Sequence, residues 1–226
     1  MFLMTPAAFG DLAAVKYADV LWSGLLMTLQ ISAIGMIGSL AVGLAGATAI
    51  ILRVPVLRHA VRIYVEVIRN TPLLVQVFFL FFAAPSMGLT LSPYEVGCIS
   101  LVAWGGAYNV ENFRAGLTSV GPRYHEGARA LGFSEWRTFL HVTAPIGIRL
   151  AAPGLTNTLI SVLKNSALML GIGLAELTFV AQKLSADTFR TVELYVVLGV
   201  IYLALVLLLT WLMHMTSRRF TLQGGV

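Results

Sequence analysis

The longest apolar stretch of the chain is VLWSGLLMTLQISAIGMIGSLAVGLAGATAIIL, residues 20–52, which contains no charged residue. A hydrocarbon core about 30 Å thick requires about 20 apolar residues in a helix, because lipid offers no hydrogen-bond partners to exposed backbone groups. This stretch is therefore long enough to cross a membrane. Gly35, Ser39, Gly43 and Ala47 recur in it every four residues. Such a stripe of small residues predicts a helix-packing face.

The composition supports a membrane protein. Of the 226 residues, 58% are hydrophobic and only 11% are charged, and the mean hydropathy is +0.86. Soluble chains carry about 25% charged residues, so a soluble domain and a disordered chain are both excluded. The formal net charge is +5, but the basic residues form no continuous stripe of the kind that binds nucleic acid.

The residues with reactive or metal-binding side chains do not form a recognisable catalytic or metal site. Cys98 is the only cysteine, which excludes an intrachain disulfide and a cysteine-rich metal site. The four histidines lack ligand spacing, and no Ser/His/Asp set or pair of catalytic carboxylates stands out. We therefore expect no metal, no catalytic residue and no enzymatic activity of the chain itself.

Four further apolar stretches follow the first one. Together they predict an all-α membrane protein, formed by residues 1–226 as a single transmembrane domain with five transmembrane helices. The first helix is too long for a cleaved signal peptide, and the N-terminus lacks the basic region of one, so this helix should remain in the mature protein. The predicted spans are residues 20–52, 64–84, 94–114, 150–177 and 194–216.

The basic residues predict the orientation of these spans. Ten of the fifteen lie in segments that five crossings place on one side of the membrane, and three lie on the other side. Cytoplasmic loops are rich in Lys and Arg, so the N-terminus is predicted outside and the C-terminus in the cytoplasm. The ten are Arg53, Arg58, Arg62, Arg114, Arg123, Arg129, Arg137, Arg149, Arg218 and Arg219.

Residues that break helices recur inside the predicted spans. Pro72, Pro153 and the stretch Gly171-Ile172-Gly173 are each expected to interrupt a helix. Freed backbone groups at membrane depth are tolerated only where protein or a water-filled cavity covers them. These breaks therefore favour a transport pathway.

Residues 121–149 form the one long polar loop of the chain. The sequence predicts two short helices around Gly132, which is placed to end the first helix in a left-handed conformation, and Ser134 is placed to cap the second. Pro145 is expected to end the second helix. The loop carries an apolar ridge that fits either a groove on a partner protein or the bilayer surface. The predicted ridge consists of Leu131, Phe133, Trp136 and Leu140.

Several motifs resemble one family of membrane proteins. Glu126-Gly127-Ala128, followed by Gly132 and Pro145, resembles the EAA loop of the membrane subunits of bacterial ABC importers. Three segments resemble the polar amino-acid permease branch of that family: YVEVIRNTPLLVQ (64–76), GAYNVENFRAG (106–116) and LKNSAL (163–168). The resemblance is nearly continuous from about Trp22 to Arg219. The chain departs from the family pattern at Gly127, at Ala144 and at Arg123-Tyr124.

The resemblance implies a multi-pass permease with the type I importer fold in the bacterial cytoplasmic (inner) membrane. It implies a second permease subunit, identical or related, and two ATPase subunits docked on the cytoplasmic side. An extracytoplasmic amino-acid-binding protein would deliver the substrate. The chain lacks the Gly-x-x-x-x-Gly-Lys-Ser/Thr phosphate loop, so it is expected to bind no cofactor itself, with ATP and Mg²⁺ held by the ATPase.

Two groups of site residues are predicted, the first from the resemblance and the second from polar residues inside the spans. The 121–149 loop would couple to the ATPase, with Gly132 forming the bend between its short helices. The substrate pathway would involve the polar residues that interrupt the third and fourth spans, and the alternative for the charged ones is a structural role, as ion pairs between helices or near the interface. The predicted coupling residues are Glu126, Gly127, Ala128, Arg129, Leu131, Gly132, Phe133 and Trp136. The predicted pathway residues are Glu111, Lys164, Asn165, Ser166, Asn109 and Asn157.

Other functions are compatible with parts of this pattern. A five-span channel or secondary transporter would work without ATP, and a membrane scaffold would only recruit partners. The sequence around Arg69 and Lys164 resembles that of permease branches that handle glutamate, aspartate or their amides. Basic amino acids and opine-like compounds remain alternative substrates. A polar amino-acid importer with a preference for the glutamate, aspartate or glutamine class is the function predicted here.

Overall fold

In the computed structural model, residues 13–220 are described, and the regular elements in that range are all helical. Residues 1–12 and 221–226 of the predicted single domain lie outside it. Short π-helical segments (Phe79–Ala83, Phe139–Thr143) and 3-10 segments (Ala84–Met87, Ser166–Ile172) adjoin several of the α-helices. The α-helices are α1 (Ala13–Lys16), α2 (Ala18–Ile51), α3 (Leu57–Arg69), α4 (Leu73–Phe78), α5 (Pro93–Thr118), α6 (Pro122–Ala130), α7 (Glu135–Thr138), α8 (Ala144–Asn165), α9 (Leu177–Thr188) and α10 (Thr191–Phe220).

Three helical runs of the described residues are long and apolar enough to cross a membrane, and a broken pair of helices forms a fourth candidate. The prediction of an all-helical membrane chain is therefore confirmed for the described residues. The helix α5 is not among these candidates, and it contains the polar residues of the segment 106–116. The runs are Ala18–Ile51, Glu135–Ile172 and Thr191–Met215, and the broken pair is Leu57–Arg69 with Leu73–Met87.

Two of the predicted helix breaks are present. The helix α3 ends at Arg69 and α4 begins at Leu73, so the predicted span 64–84 is interrupted beside Pro72 rather than continuous. The 3-10 segment after α8 ends at Ile172, and Gly173, the residue that follows it, has a φ of 75°. A left-handed backbone costs little only at glycine, and this explains why the segment stops there.

Two prolines do not break the helix in which they lie. The expected interruption at Pro153 is wrong, because α8 continues through it from Ala144 to Asn165. Ala151 and Leu155, on either side of Pro153, are buried in a core cluster, so packing maintains the helix despite one missing hydrogen bond. The expected stop at Pro145 is also wrong: the helical run Glu135–Ile172 continues through Pro145, directly after the π-helical segment Phe139–Thr143.

The chain divides into two compact units. Unit 1 contains residues 13–35, 73–101 and 162–208, and unit 2 contains residues 36–72, 102–161 and 209–220. The helices α2, α5, α8 and α10 contribute residues to both units.

Glycine contacts set the helix packing in unit 2. A Cβ atom added at Gly43 would overlap the Cβ of Asn109, and one added at Gly46 would lie 2.6 Å from the Cγ2 of Val110. Ser39, one turn before Gly43, is buried and accepts a hydrogen bond from Asn109. The predicted packing face of α2 is therefore confirmed, and α5 is its partner in this unit.

The core of unit 1 brings together residues that are far apart in the sequence. Leu177, Val180, Ala181 and Leu198 form a buried cluster with Leu21. Gly24 allows α2 to approach α9 closely, since a Cβ at Gly24 would lie 3.0 Å from the Cα of Leu177. This packing places α2, α9 and α10 around a buried polar network.

Candidate functional site

The 121–149 loop forms two short helices joined by a tight turn. The helix α6 ends in a Schellman motif: the N–H of Gly132 donates to the carbonyl of Arg129 (2.9 Å), and the N–H of Phe133 donates to the carbonyl of Ala128 (3.0 Å). The φ of Gly132 is 76°, so its predicted left-handed conformation is confirmed. Glycine is required at this point because a side chain would strain the turn.

The second short helix, α7, is capped and anchored. The Ser134 hydroxyl accepts a hydrogen bond from the backbone N–H of Arg137 (3.4 Å), as predicted for the cap. Phe139, which follows α7, is buried in the unit 2 cluster that contains Phe113 and Leu117. The loop is therefore fixed to the helices of unit 2 by an aromatic side chain.

Most of the predicted ridge is exposed. Leu131 is 77% exposed, Trp136 is 54% exposed and Leu140 is 44% exposed. Phe133 differs because it is half-buried and its ring lies edge-on to His141, with 6.0 Å between the centroids. We use the term apolar ridge for Leu131, Trp136 and Leu140.

The remaining predicted coupling residues surround this ridge. Glu126, Gly127 and Arg129 are exposed on α6, whereas Ala128 is buried. The loop therefore presents charged and apolar side chains together on a short rigid element, which is the composition of a protein-docking surface.

Asn109 and its neighbours form a buried amide network in unit 2. The Nδ2 of Asn109 donates to the Ser39 hydroxyl (3.2 Å), and Asn112 donates to both Asn109 (3.3 Å) and Thr158 (2.8 Å). Asn109 is fully buried, whereas Asn157 on the same helix as Thr158 is exposed. The predicted pathway residue Asn109 thus also acts as a tie between helices α2 and α5.

Glu111 lies in an ion pair with an arginine of its own helix. The Nη2 of Arg114 lies 2.6 Å from the Oε2 of Glu111, and the Arg114 Nε also donates to this carboxylate (3.1 Å). Arg69 stacks over the Tyr108 ring, 5.0 Å from its centroid, and Trp104 lies 4.4 Å from Tyr108. Glu111 and Arg69, which both lie within predicted spans, therefore have partners within unit 2.

The other predicted pathway residues lie at the end of α8 in unit 1. Lys164 is exposed, and Asn165 is half-buried. Ser166 is fully buried and donates its hydroxyl to the carbonyl of Leu163 (2.7 Å). Lys164 belongs to neither of the ion pairs found among the described residues, and it lines a cleft of about 340 Å³. The other residues that line this cleft are Ala167, Tyr202, Leu203 and Val206.

The sequence prediction missed Glu176, a fully buried carboxylate. It caps α9 by accepting hydrogen bonds from the N–H groups of Thr178 (2.9 Å) and Phe179 (2.8 Å). The Tyr202 hydroxyl also donates to it (3.2 Å), and the Thr28 hydroxyl lies 3.4 Å away. Glu176 was overlooked because it lies at the end of the predicted span 150–177, where an interfacial position would leave a carboxylate in water.

No cluster of three or more metal-binding side chains occurs in residues 13–220. The predicted site residues can instead dock a partner protein, anchor helices to one another and make polar contacts along the spans.

A family model describes most of this chain. The model of the binding-protein-dependent transport system inner membrane component matches residues 35–222. The chain belongs to this family. It is therefore a permease component of an ABC transporter in the bacterial inner membrane, and the predicted resemblance is confirmed.

Curated relatives of this chain are amino-acid permeases. The glutamine transport system permease protein GlnP of Escherichia coli K12 is 34% identical over 202 residues, which cover 88% of this chain and 92% of that protein. The L-cystine transport system permease protein TcyB of Bacillus subtilis is 31% identical, covering 92% of this chain and 90% of that protein.

Solved structures show the same fold. A crystal structure of an amino acid ABC transporter with histidines matches with a TM-score of 0.86 and 31% identity, covering 97% of this chain and 100% of that one. An inward-facing structure of the MetNI methionine ABC transporter matches with a TM-score of 0.77 at 18% identity, covering 91% of this chain and 98% of that one. The type I permease fold is therefore established.

Proposed function

We propose that this chain is the permease subunit of an ATP-driven importer of polar amino acids. It would cross the membrane five times, with the N-terminus outside and the C-terminus in the cytoplasm, and α5 would supply the crossing that apolar length alone does not mark. The excess of basic residues in the predicted cytoplasmic segments supports this orientation.

The observation that carries the proposal is the exposed apolar ridge of the 121–149 loop on its rigid base. Trp136 and Leu131 are mostly exposed although Phe139, a few residues further on, is buried. An aromatic side chain held in place at low entropic cost is the kind of residue that dominates a protein interface. In the proposed mechanism, the ridge, with Glu126 and Arg129 beside it, occupies a groove of the ATPase subunit.

Closure of the nucleotide-bound ATPase pair would then move this loop as a lever. Because Phe139 joins the loop to the core of unit 2, the displacement reaches the membrane helices without passing through a flexible connection. The proposed assembly contains a second permease subunit, two ATPase subunits that hold ATP and Mg²⁺, and an extracytoplasmic binding protein.

The proposed substrate belongs to the glutamate, aspartate or glutamine class. The likeness to glutamine permeases supports this preference, and the cystine relative shows that the family accepts other polar amino acids. Lys164 is the candidate contact for a substrate carboxylate because it is an exposed cation whose side chain lines a cleft. Asn165 and Asn157 are proposed to supply neutral hydrogen bonds along the pathway.

Reconstitution of the complete transporter tests coupling through the ridge. We expect Trp136→Ala to lower substrate-stimulated ATP hydrolysis and uptake by about tenfold or more, as for other central interface residues. Trp211→Ala is the matched control, because Trp211 is 57% exposed but lies in α10. Normal coupling in the Trp136 variant would overturn the proposed docking, and uptake without any ATPase subunit would favour a channel or secondary transporter.

A further inference from the structure

A charged cleft of about 320 Å³ lies within unit 2. Six side chains line it, and they come from three different helices. Two carry guanidinium groups, one carries a carboxylate, one carries a hydroxyl and two are apolar. They are Arg62 from α3, Glu111, Arg114 and Thr118 from α5, and Ile50 and Ile51 from α2.

All six residues lie near the predicted cytoplasmic ends of their spans. The first predicted span ends at residue 52, the second begins at residue 64 and the third ends at residue 114. In the proposed topology, the cleft therefore lies at the depth where the hydrocarbon core gives way to the headgroups of the inner leaflet. Phospholipid phosphates are found at this depth, beside the first carbons of the acyl chains.

The charges of the cleft favour an anion. Arg114 forms an ion pair with Glu111, and the net charge of this pair is zero. Arg62 is exposed and has no ion-pair or hydrogen-bond partner among the described residues. One positive charge therefore remains in the cleft, on a guanidinium group whose geometry suits phosphate oxygens.

The orientation of α3 keeps Arg62 available. Val61, Tyr64 and Ile68 pack on the buried cluster formed by Val65, Ala107 and Val110. This packing fixes one side of α3 against α5, and Arg62 lies next to it with an exposed side chain. Ile50 and Ile51 add an apolar wall, which free phosphate does not need but an acyl chain does.

We propose that this cleft binds the headgroup of an anionic phospholipid from the cytoplasmic leaflet. Arg62 contacts the phosphate, and the two isoleucines contact the upper part of an acyl chain, while the Thr118 hydroxyl donates within its own helix to the carbonyl of Arg114 (2.8 Å). The bound lipid fills the space between three helix ends and so ties α2, α3 and α5 together on the side where the ATPase would dock. Basic pockets between transmembrane helices on the cytoplasmic side have the chemistry for such ligands.

Lipid binding to the purified full-length chain tests the proposal directly. The probes are phosphatidylglycerol and phosphatidylcholine of identical acyl chains, added to the detergent-solubilised protein, with bound lipid counted by native mass spectrometry. We expect one tightly bound phosphatidylglycerol and weaker phosphatidylcholine. Arg62→Gln should weaken the phosphatidylglycerol site about fivefold, the effect of about one basic residue near an anionic surface, and Arg62→Glu should weaken it further.

The matched control is Arg149→Gln, which removes an exposed arginine from the same predicted side but outside the cleft. It should leave the tight site unchanged. Equal losses in the Arg62 and Arg149 variants would show general charge attraction and overturn the proposal. Unaltered phosphatidylglycerol binding in Arg62→Gln would also overturn it.

Competition distinguishes a lipid from a soluble anion. Inorganic phosphate or glutamate at millimolar concentration should leave the bound phosphatidylglycerol in place, because neither ligand uses the apolar wall. Displacement of the lipid by either anion at that concentration would show an anion site rather than a lipid site. These measurements need no transport, so they remain informative if the proposed import function fails.

Discussion

The network around Glu176 and the 121–149 loop each contain a helix cap, but the first cap is buried and the second is exposed. In each, a polar side chain caps a helix: Glu176 caps α9 and Ser134 caps α7. Glu176 is fully buried and also interacts with Thr28 and Tyr202, which are far away in the sequence. Ser134 is exposed and accepts one weak bond from its own turn.

The difference shows that contacts between residues far apart in the sequence determine the interior of unit 1, whereas neighbouring residues determine the shape of the loop. A buried cap joins several helices, so its loss should affect the whole of unit 1, because buried polar groups left without partners are costly. An exposed cap only shapes its own turn. The loop is thus free to present side chains to a partner, while the interior is not free to change.

Removal of the Glu176 carboxylate should give the largest effect. Glu176→Ala leaves the N–H groups of Thr178 and Phe179 and the Tyr202 hydroxyl without their acceptor. We expect a loss of about 3 kcal/mol of stability, from one helix cap and further buried hydrogen bonds. Thermal unfolding of the detergent-solubilised protein measures this loss.

A second glutamate of unit 1 provides the control for that variant. Glu193 forms a partly exposed ion pair with Arg190 at 3.7 Å. Glu193→Ala should cost less than about 1 kcal/mol, because exposed ion pairs contribute little. Equal effects of the two substitutions would show that Glu176 does not hold the interior together.

A close helix contact in unit 2 should give the second largest effect. A Cβ added at Gly116 would overlap the carbonyl oxygen of Gly147 and lie 2.7 Å from the backbone nitrogen of Ala151. Gly116→Ala must therefore push α5 and α8 apart, and we expect a loss of about 1–3 kcal/mol in the same unfolding measurement. Gly199→Ala is the control, since nothing lies within 4 Å of that position. A Gly116 variant as stable as the Gly199 variant would contradict the close packing.

The contrast between interior and loop also explains which features could be predicted from the sequence. The turn at Gly132 and the cap at Ser134 depend on residues next to them, so local patterns were sufficient. The role of Glu176 depends on Thr28 and Tyr202, and no pattern within one segment indicates those partners. Pro145 and Pro153 were predicted to break helices from their local chemistry, whereas the helical run Glu135–Ile172 continues through both, and the packing of α8 holds the helix at Pro153.

The candidate site shows the same division. Sequence reasoning selected Asn109 and Glu111 because polar residues inside a span demand an explanation. The structure shows that Ser39 and Arg114 contact them, and neither partner follows from the polarity of the selected residues alone. The exposed ridge was predictable because apolar residues in a polar loop are already conspicuous in the sequence.

The smallest expected effect lies in the loop and has the opposite sign. Gly127 is exposed in α6, and nothing lies within 4 Å of a Cβ added there. Gly127→Ala should stabilise α6 by up to about 1 kcal/mol, because glycine is a poor helix former and no contact opposes the new methyl group. Hydrogen exchange of the α6 amides measures this gain. Faster exchange in the variant would mean that α6 is restrained by contacts at this position, and the contrast between a fixed interior and a free loop would then fail.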